Sequence, residues 1–246
     1  MIKAWEICIH MGNRAISWSS SRFSHLMKKE KIKSANTFSG SDRKKYWEEI
    51  YDLKKPTEVG WYQAKPELSI QFIEEPGFAK EAKIIDVGGG DSLLVDHLME
   101  LGYSNLTVLD VSNKAIERAK LRLGHKADLV KWICSDVTDF TPEETYDLWH
   151  DRACFHFLTK KKEIETYCDK LSGGLKSQGV FVLGTFSKTG PKKCSGLDIH
   201  QYDAMDLKYL FSDEFDLIHT VESVHLTPAL TKQNYVFCNF KKKLKI

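Results

Sequence analysis

The stretch at residues 82–92, AKIIDVGGGDS, constrains this chain more than any other. Residues 83–87 are an Ile/Val-rich run of the kind that makes a buried parallel strand. The run carries Asp86 near its end and leads into three consecutive glycines, Gly88, Gly89 and Gly90, followed by an apolar helical segment at 93–101. Strand, glycine turn and helix in that order build the ligand crevice of a doubly wound sheet. Glycine lets the backbone approach a ligand where a Cβ would collide, and the first N–H groups of the next helix lack intrahelical partners. A tight turn with no ligand would use the same residues, so the turn alone does not decide.

Two further strand ends add to it. A second apolar strand, residues 106–109, ends in Asp110, twenty-two residues after Gly88. That is the spacing at which this architecture places an acid against ribose hydroxyls. A third strand, residues 130–134, leads into Ser135, Asp136 and Val137. Three successive strand ends therefore carry a carboxylate. A nicotinamide cofactor fits poorly, because its G-x-G-x-x-G fingerprint lacks the third glycine here and Asp91 stands where a pyrophosphate would sit. The pattern asks for a ligand that is uncharged or cationic at that point.

These segments resemble the class I S-adenosylmethionine-dependent methyltransferases. IIDVGGGDS looks like their glycine motif, LTVLDVS like their ribose-binding strand end, CSDVTDF like their adenine-contacting segment and YDLWHDRACFHFL like the strand-four segment facing the substrate. WHDRACFHFLT, with the later CSGLDIHQYD, is similar to a group of small bacterial-type methyltransferases. The resemblance covers residues 46–240 and departs from many relatives in having Gly–Asp–Ser after the first glycines. It implies a doubly wound, seven-stranded, Rossmann-like α/β sheet with strand order 3-2-1-4-5-7-6. It also implies that Asp86, Gly88, Gly90, Asp110, Val111, Asp136 and Val137 surround S-adenosyl-L-methionine. Asp110 would take the ribose hydroxyls, and Asp136 would lie by the adenine amine. The implied activity is methyl transfer to a small molecule or an exposed protein side chain. The alternative is a non-catalytic module that binds S-adenosylmethionine or S-adenosylhomocysteine, and a dehydrogenase comes third.

The rest of the chain bounds this reading. At 246 residues and 42% hydrophobic composition it suits one α/β domain, expected over residues 42–246. Residues 1–45 hold ten Lys/Arg against three acids, which leaves 26 against 31 in the remainder. The body is thus mildly acidic, and neither a general nucleic-acid face nor a membrane association is expected: no run approaches the ~20 apolar residues of a membrane span. Residues 1–41 read as a basic leader or tail, which sets a mitochondrial address beside the cytoplasmic one. The six cysteines show no metal-ligand spacing and read as reduced thiols, with no metal site expected.

In order, residues 42–52 read as a helix, 54–65 as a turn-rich link and 67–73 as a second helix. Ser112 and Gly124 should cap a helix at 113–123, and Thr159 a helix reaching about 171. Strands are expected at 146–150, 179–185, 215–224 and 234–241, with a helix at 204–211. The last two strands are close enough for a hairpin, so that edge should be antiparallel. Ligands bind beyond the carboxyl ends of such strands, which makes Asp151, Arg152 and His156 the first candidates on the acceptor side. His156 is the expected base or orienting group and Asp151 its charged neighbour, with Trp61, Tyr62, Gln63 and the loop 187–202 folded over them.

Overall fold

The computed structural model describes residues 40–244. The expected basic leader lies outside them, apart from the residues that open the first helix. That helix, α1 (Gly40–Leu53), precedes α2 (Glu67–Glu74), and the doubly wound unit then begins. It runs β1 (Ile84–Val87), α3 (Leu94–Glu100), β2 (Leu106–Asp110), α4 (Asn113–Leu123), β3 (Val130–Cys134), β4 (Tyr146–Arg152), α5 (Lys161–Gly174), β5 (Leu175–Phe186), α6 (Ala204–Phe211), β6 (Phe215–Leu226) and β7 (Lys232–Lys242). The sheet order is β3-β2-β1-β4-β5-β7-β6. β1 to β5 are parallel, and β7 is antiparallel to both β5 and β6, as the short connection between the last two strands requires.

Strand alternation divides the core between the two faces of the sheet. Ile85, Val87, Leu109, Trp149, Phe181 and Leu183 pack under α5 and α6. Ile84, Val108, Leu148, Val180 and Val182 pack under α2 and α3. Each fully buried side chain of this size contributes about 1.5–3 kcal/mol. Ser112 caps α4 as expected, its hydroxyl accepting the Ala115 N–H at 3.2 Å. Thr159 does not cap α5; Lys160 holds the N-cap position without a side-chain hydrogen bond. α5 ends at Gly173 and Gly174 and passes directly into β5. β3 ends the sheet on one side, so its Lys131 and Cys134 are exposed. The loop after β5 contains a small hairpin, Lys193–Cys194 with Leu197–Asp198.

Candidate cofactor and acceptor cleft

The cleft lies beyond the carboxyl ends of β1, β2 and β4. The glycine turn forms one wall. Gly88 and Gly90 have φ of +71° and +49°, in the left-handed region that a side chain disfavours. A Cβ at Gly88 would lie 2.6 Å from Cys154 Cβ, and one at Gly90 would lie 2.7 Å from the Tyr51 hydroxyl oxygen. The turn is therefore in contact with both the β4 exit and the helix above it.

Asp110, Val111, Asp136 and Val137, from the ends of β2 and β3, line a cleft of about 710 Å³ with Gly88. Asp86 lines an adjoining space of about 540 Å³, and the two share Tyr51, Trp61, Gly88 and Arg152. Both volumes fall in the small-ligand range. Six of the seven sequence-predicted cofactor residues thus line these two adjoining spaces, and Gly90 lines neither. Asp110 Oδ1 accepts the Ser112 N–H at 2.8 Å. Burial pushes the Asp110 carboxyl up to about 7, the Ser112 N–H opposes the shift, and the charges of Asp91, Asp86 and Glu48 add to it. Burial also raises Asp91, against the nearby Arg118 guanidinium. This wall is short of positive charge.

Other carboxylates are already engaged. Asp86 Oδ1 lies 2.7 Å from His150 Nδ1, and His150 Nε2 lies 2.9 Å from Ser69 Oγ. Asp136 Oδ1 accepts the Thr138 N–H and hydroxyl at 2.9 and 2.7 Å, while Arg43 Nε approaches Asp136 Oδ2 at 3.0 Å.

α1 forms the roof. Trp47 packs its ring against Phe157 (5.1 Å between centroids) and Trp61 (5.6 Å). The Tyr46 hydroxyl donates to the Ser195 carbonyl, which ties α1 to the small hairpin. Glu48 reaches the N-terminus of α4, accepting from Ser112 Oγ, Asn113 N and Lys114 N at 3.0, 2.7 and 3.1 Å. A carboxylate there satisfies orphan amides and complements the helix dipole. Glu48→Ala is expected to lower stability by about 1–2 kcal/mol in a urea melt.

The structure corrects the acceptor-side assignment. Asp151 and His156 are both fully buried, and neither lines the cleft. Asp151 accepts the Cys154 and Phe155 amides at 3.0 and 3.1 Å and the Tyr167 hydroxyl at 2.8 Å. It thereby holds the turn in which Ala153 takes φ +68°. Burial raises its carboxyl to about 6, which those donors oppose. His156 sits against Phe157 and Phe186, and burial, with the charge of Arg152, lowers it to about 3. His156 is thus a weak base and lines neither space of the cleft.

Arg152, Cys154 and Phe157 face the cleft instead. Trp61 lines both spaces, and Tyr62 and Gln63 line the second. From the loop after β5, Cys194 reaches the cleft. Arg43, Trp47 and Tyr51 also line it, and of these sequence reasoning did not single out Arg43 or Tyr51 as ligand contacts. The described residues hold no group of three or more potential metal ligands, and no helix among them is long and apolar enough to cross a membrane.

Residues 84–179 match the family model described as a methyltransferase domain. The chain is 29% identical over 106 residues to malonyl-[acyl-carrier protein] O-methyltransferase 2 of Ilyobacter polytropus, covering 43% of this chain and 39% of that protein. It is 27% identical over 134 residues to the eEF1A lysine and N-terminal methyltransferase of Mus musculus, covering 54% of this chain and 18% of that one. It therefore spans well under half the length of both relatives. A solved S-adenosylmethionine-dependent methyltransferase from Anabaena variabilis superposes with a TM-score of 0.67 at 17% identity, covering 87% of this chain and 99% of that one. Residues 84–179 thus match a methyltransferase domain, and the described residues have the fold of solved S-adenosylmethionine-dependent methyltransferases.

Proposed function

We propose that the chain is an enzyme that transfers a methyl group from S-adenosylmethionine to a small-molecule or protein side-chain acceptor. The observation that carries this reading is the wall formed by Asp110 and the glycine turn. Asp110 is buried among other carboxylates, with its charge poorly offset. Gly88, left-handed and with no room for a Cβ beside Cys154, presents bare backbone on the cleft wall. A cationic ligand with ribose hydroxyls relieves the first and uses the second. Bound there, S-adenosylmethionine supplies a methyl group on a positively charged sulfur.

The residues divide the work. Asp110 receives the ribose hydroxyls. Val111 and Val137 give the base an apolar bed, and Asp136, braced by Arg43 and Thr138, lies at its edge. Trp47, Trp61 and Phe157 exclude water from the acceptor side. Transfer then depends mainly on alignment, which is worth several kcal/mol when two reactants are held in line. No histidine among the described residues lines the main cleft, so the acceptor presents its nucleophilic atom without help from His156. The relatives act on an acyl-carrier-protein malonyl group and on eEF1A, and both kinds of acceptor are tried in the test.

The test is incubation of the full chain with tritium-labelled S-adenosylmethionine and fractionated metabolite and protein pools. Label is expected in one fraction, absent with heat-denatured protein. Tight cofactor binding with no transfer to any fraction favours the non-catalytic module.

A further inference from the structure

Arg152 is the cation in the cleft that methyl transfer leaves without a role. It ends β4 and lines both spaces of the cleft. Its Nη1 donates to the Trp61 carbonyl at 2.9 Å, and its guanidinium carbon lies 5.0 Å from the centroid of the Tyr235 ring. Its Nη2 is buried and has no hydrogen-bond partner among the described residues. The other arginines among those residues behave differently. Arg43 pairs with Asp136 and Glu163, Arg118 with Asp91 and Arg122 with Asp96. Arg152 alone enters no ion pair there.

A buried charged donor left unsatisfied destabilises the fold. Such a group calls for an explanation, and a ligand that brings the missing acceptor is one. The guanidinium is planar and forked, which matches a carboxylate, and it is held in place by the Trp61 carbonyl and the Tyr235 ring before any ligand arrives. The neighbouring walls are the aromatic faces of Trp47, Trp61 and Phe157. Arg152 is therefore flanked by aromatic faces and is the arginine of the cleft with no carboxylate partner among the described residues.

We propose that Arg152 anchors a carboxylate of the methyl acceptor, so that the substrate is an organic anion with a nonpolar body. This rests on the methyl-transfer reading above. The cofactor's amino-acid tail also carries a carboxylate and is the competing source. Placement favours the acceptor. The Tyr235 ring under its guanidinium belongs to β7, and Cys194 of the hairpin lines the same cleft.

The test is calorimetry on the full chain saturated with S-adenosylhomocysteine, titrated with benzoate and with its neutral isostere benzamide. Benzoate is expected to bind at least about tenfold more tightly, as a charge-assisted contact implies. In Arg152→Met, benzoate should weaken by about that factor while S-adenosylhomocysteine affinity is unchanged. Arg152→Lys should restore part of the benzoate affinity, and thermal melting checks that each variant is folded. Equal binding of the two probes to the wild-type chain, or no binding of either, overturns the proposal without need of a variant. So does an Arg152→Met chain that loses S-adenosylhomocysteine but keeps 5′-methylthioadenosine, since Arg152 then holds the cofactor tail. Failure of wild-type protein to bind S-adenosylhomocysteine at all contradicts the methyl-transfer reading instead.

Discussion

Asp110→Asn is expected to lose cofactor affinity and gain stability at the same time. The asparagine keeps the size of the side chain and an oxygen for the Ser112 N–H. It removes the charge that would receive the ribose hydroxyls, which should weaken binding by about 1.5–3 kcal/mol, or roughly ten- to a hundredfold. The stability change has the opposite sign. Burial raises the folded-state pKa of Asp110 from 3.8 to about 7, so the folded chain holds this proton to higher pH than the unfolded chain. Its contribution is full below the unfolded value and is lost as the pH rises through about 7. At pH 8 the variant without ligand should therefore be more stable by about 1–3 kcal/mol, several degrees in Tm, and at pH 4 the gap should nearly close. Melting curves across that range with calorimetry at pH 8 check both halves. A variant less stable at pH 8 with full affinity would remove Asp110 from the site.

Asp151→Ala should be the most damaging single change to stability at the site. The carboxylate accepts three buried donors and holds the turn containing left-handed Ala153. Alanine leaves those donors unsatisfied and frees the strained turn, a loss of about 3–5 kcal/mol. Asp151→Asn, which retains one acceptor oxygen, should lose less. Denaturant melts measure both. If Asp151 were instead a reacting group in the cleft, both variants would keep wild-type stability and lose only turnover.

That outcome bears on what the sequence could reveal. Order along the chain carried the parallel sheet, the glycine turn, the Ser112 cap and the antiparallel edge, because each depends on local chemistry or on a short connection. The acids at the ends of β2 and β3 were legible for the same reason: they follow a strand end by position alone. Facing at the end of β4 was not legible. The strand runs to Arg152, two residues beyond the expected end. Alternation then sends His150 toward Asp86 and Ser69 and Arg152 toward the cleft, while Asp151 points to Tyr167 beneath α5. A shift of one position along a strand exchanges its faces, so the catalytic expectation fell on the wrong neighbours. His156 was misplaced because a short turn, Phe155–Phe157, decides which of three successive rings faces the cleft, and Phe157 takes that place.

The central claim is that the ends of β1, β2 and β4 form a pocket for S-adenosylmethionine. Calorimetric titration of the full chain with S-adenosylhomocysteine, and separately with NAD, tests it most directly. The account predicts saturable one-to-one binding of S-adenosylhomocysteine that weakens in Asp110→Asn, and little or no binding of NAD. Preferential binding of NAD, or S-adenosylhomocysteine affinity indifferent to Asp110, would contradict it.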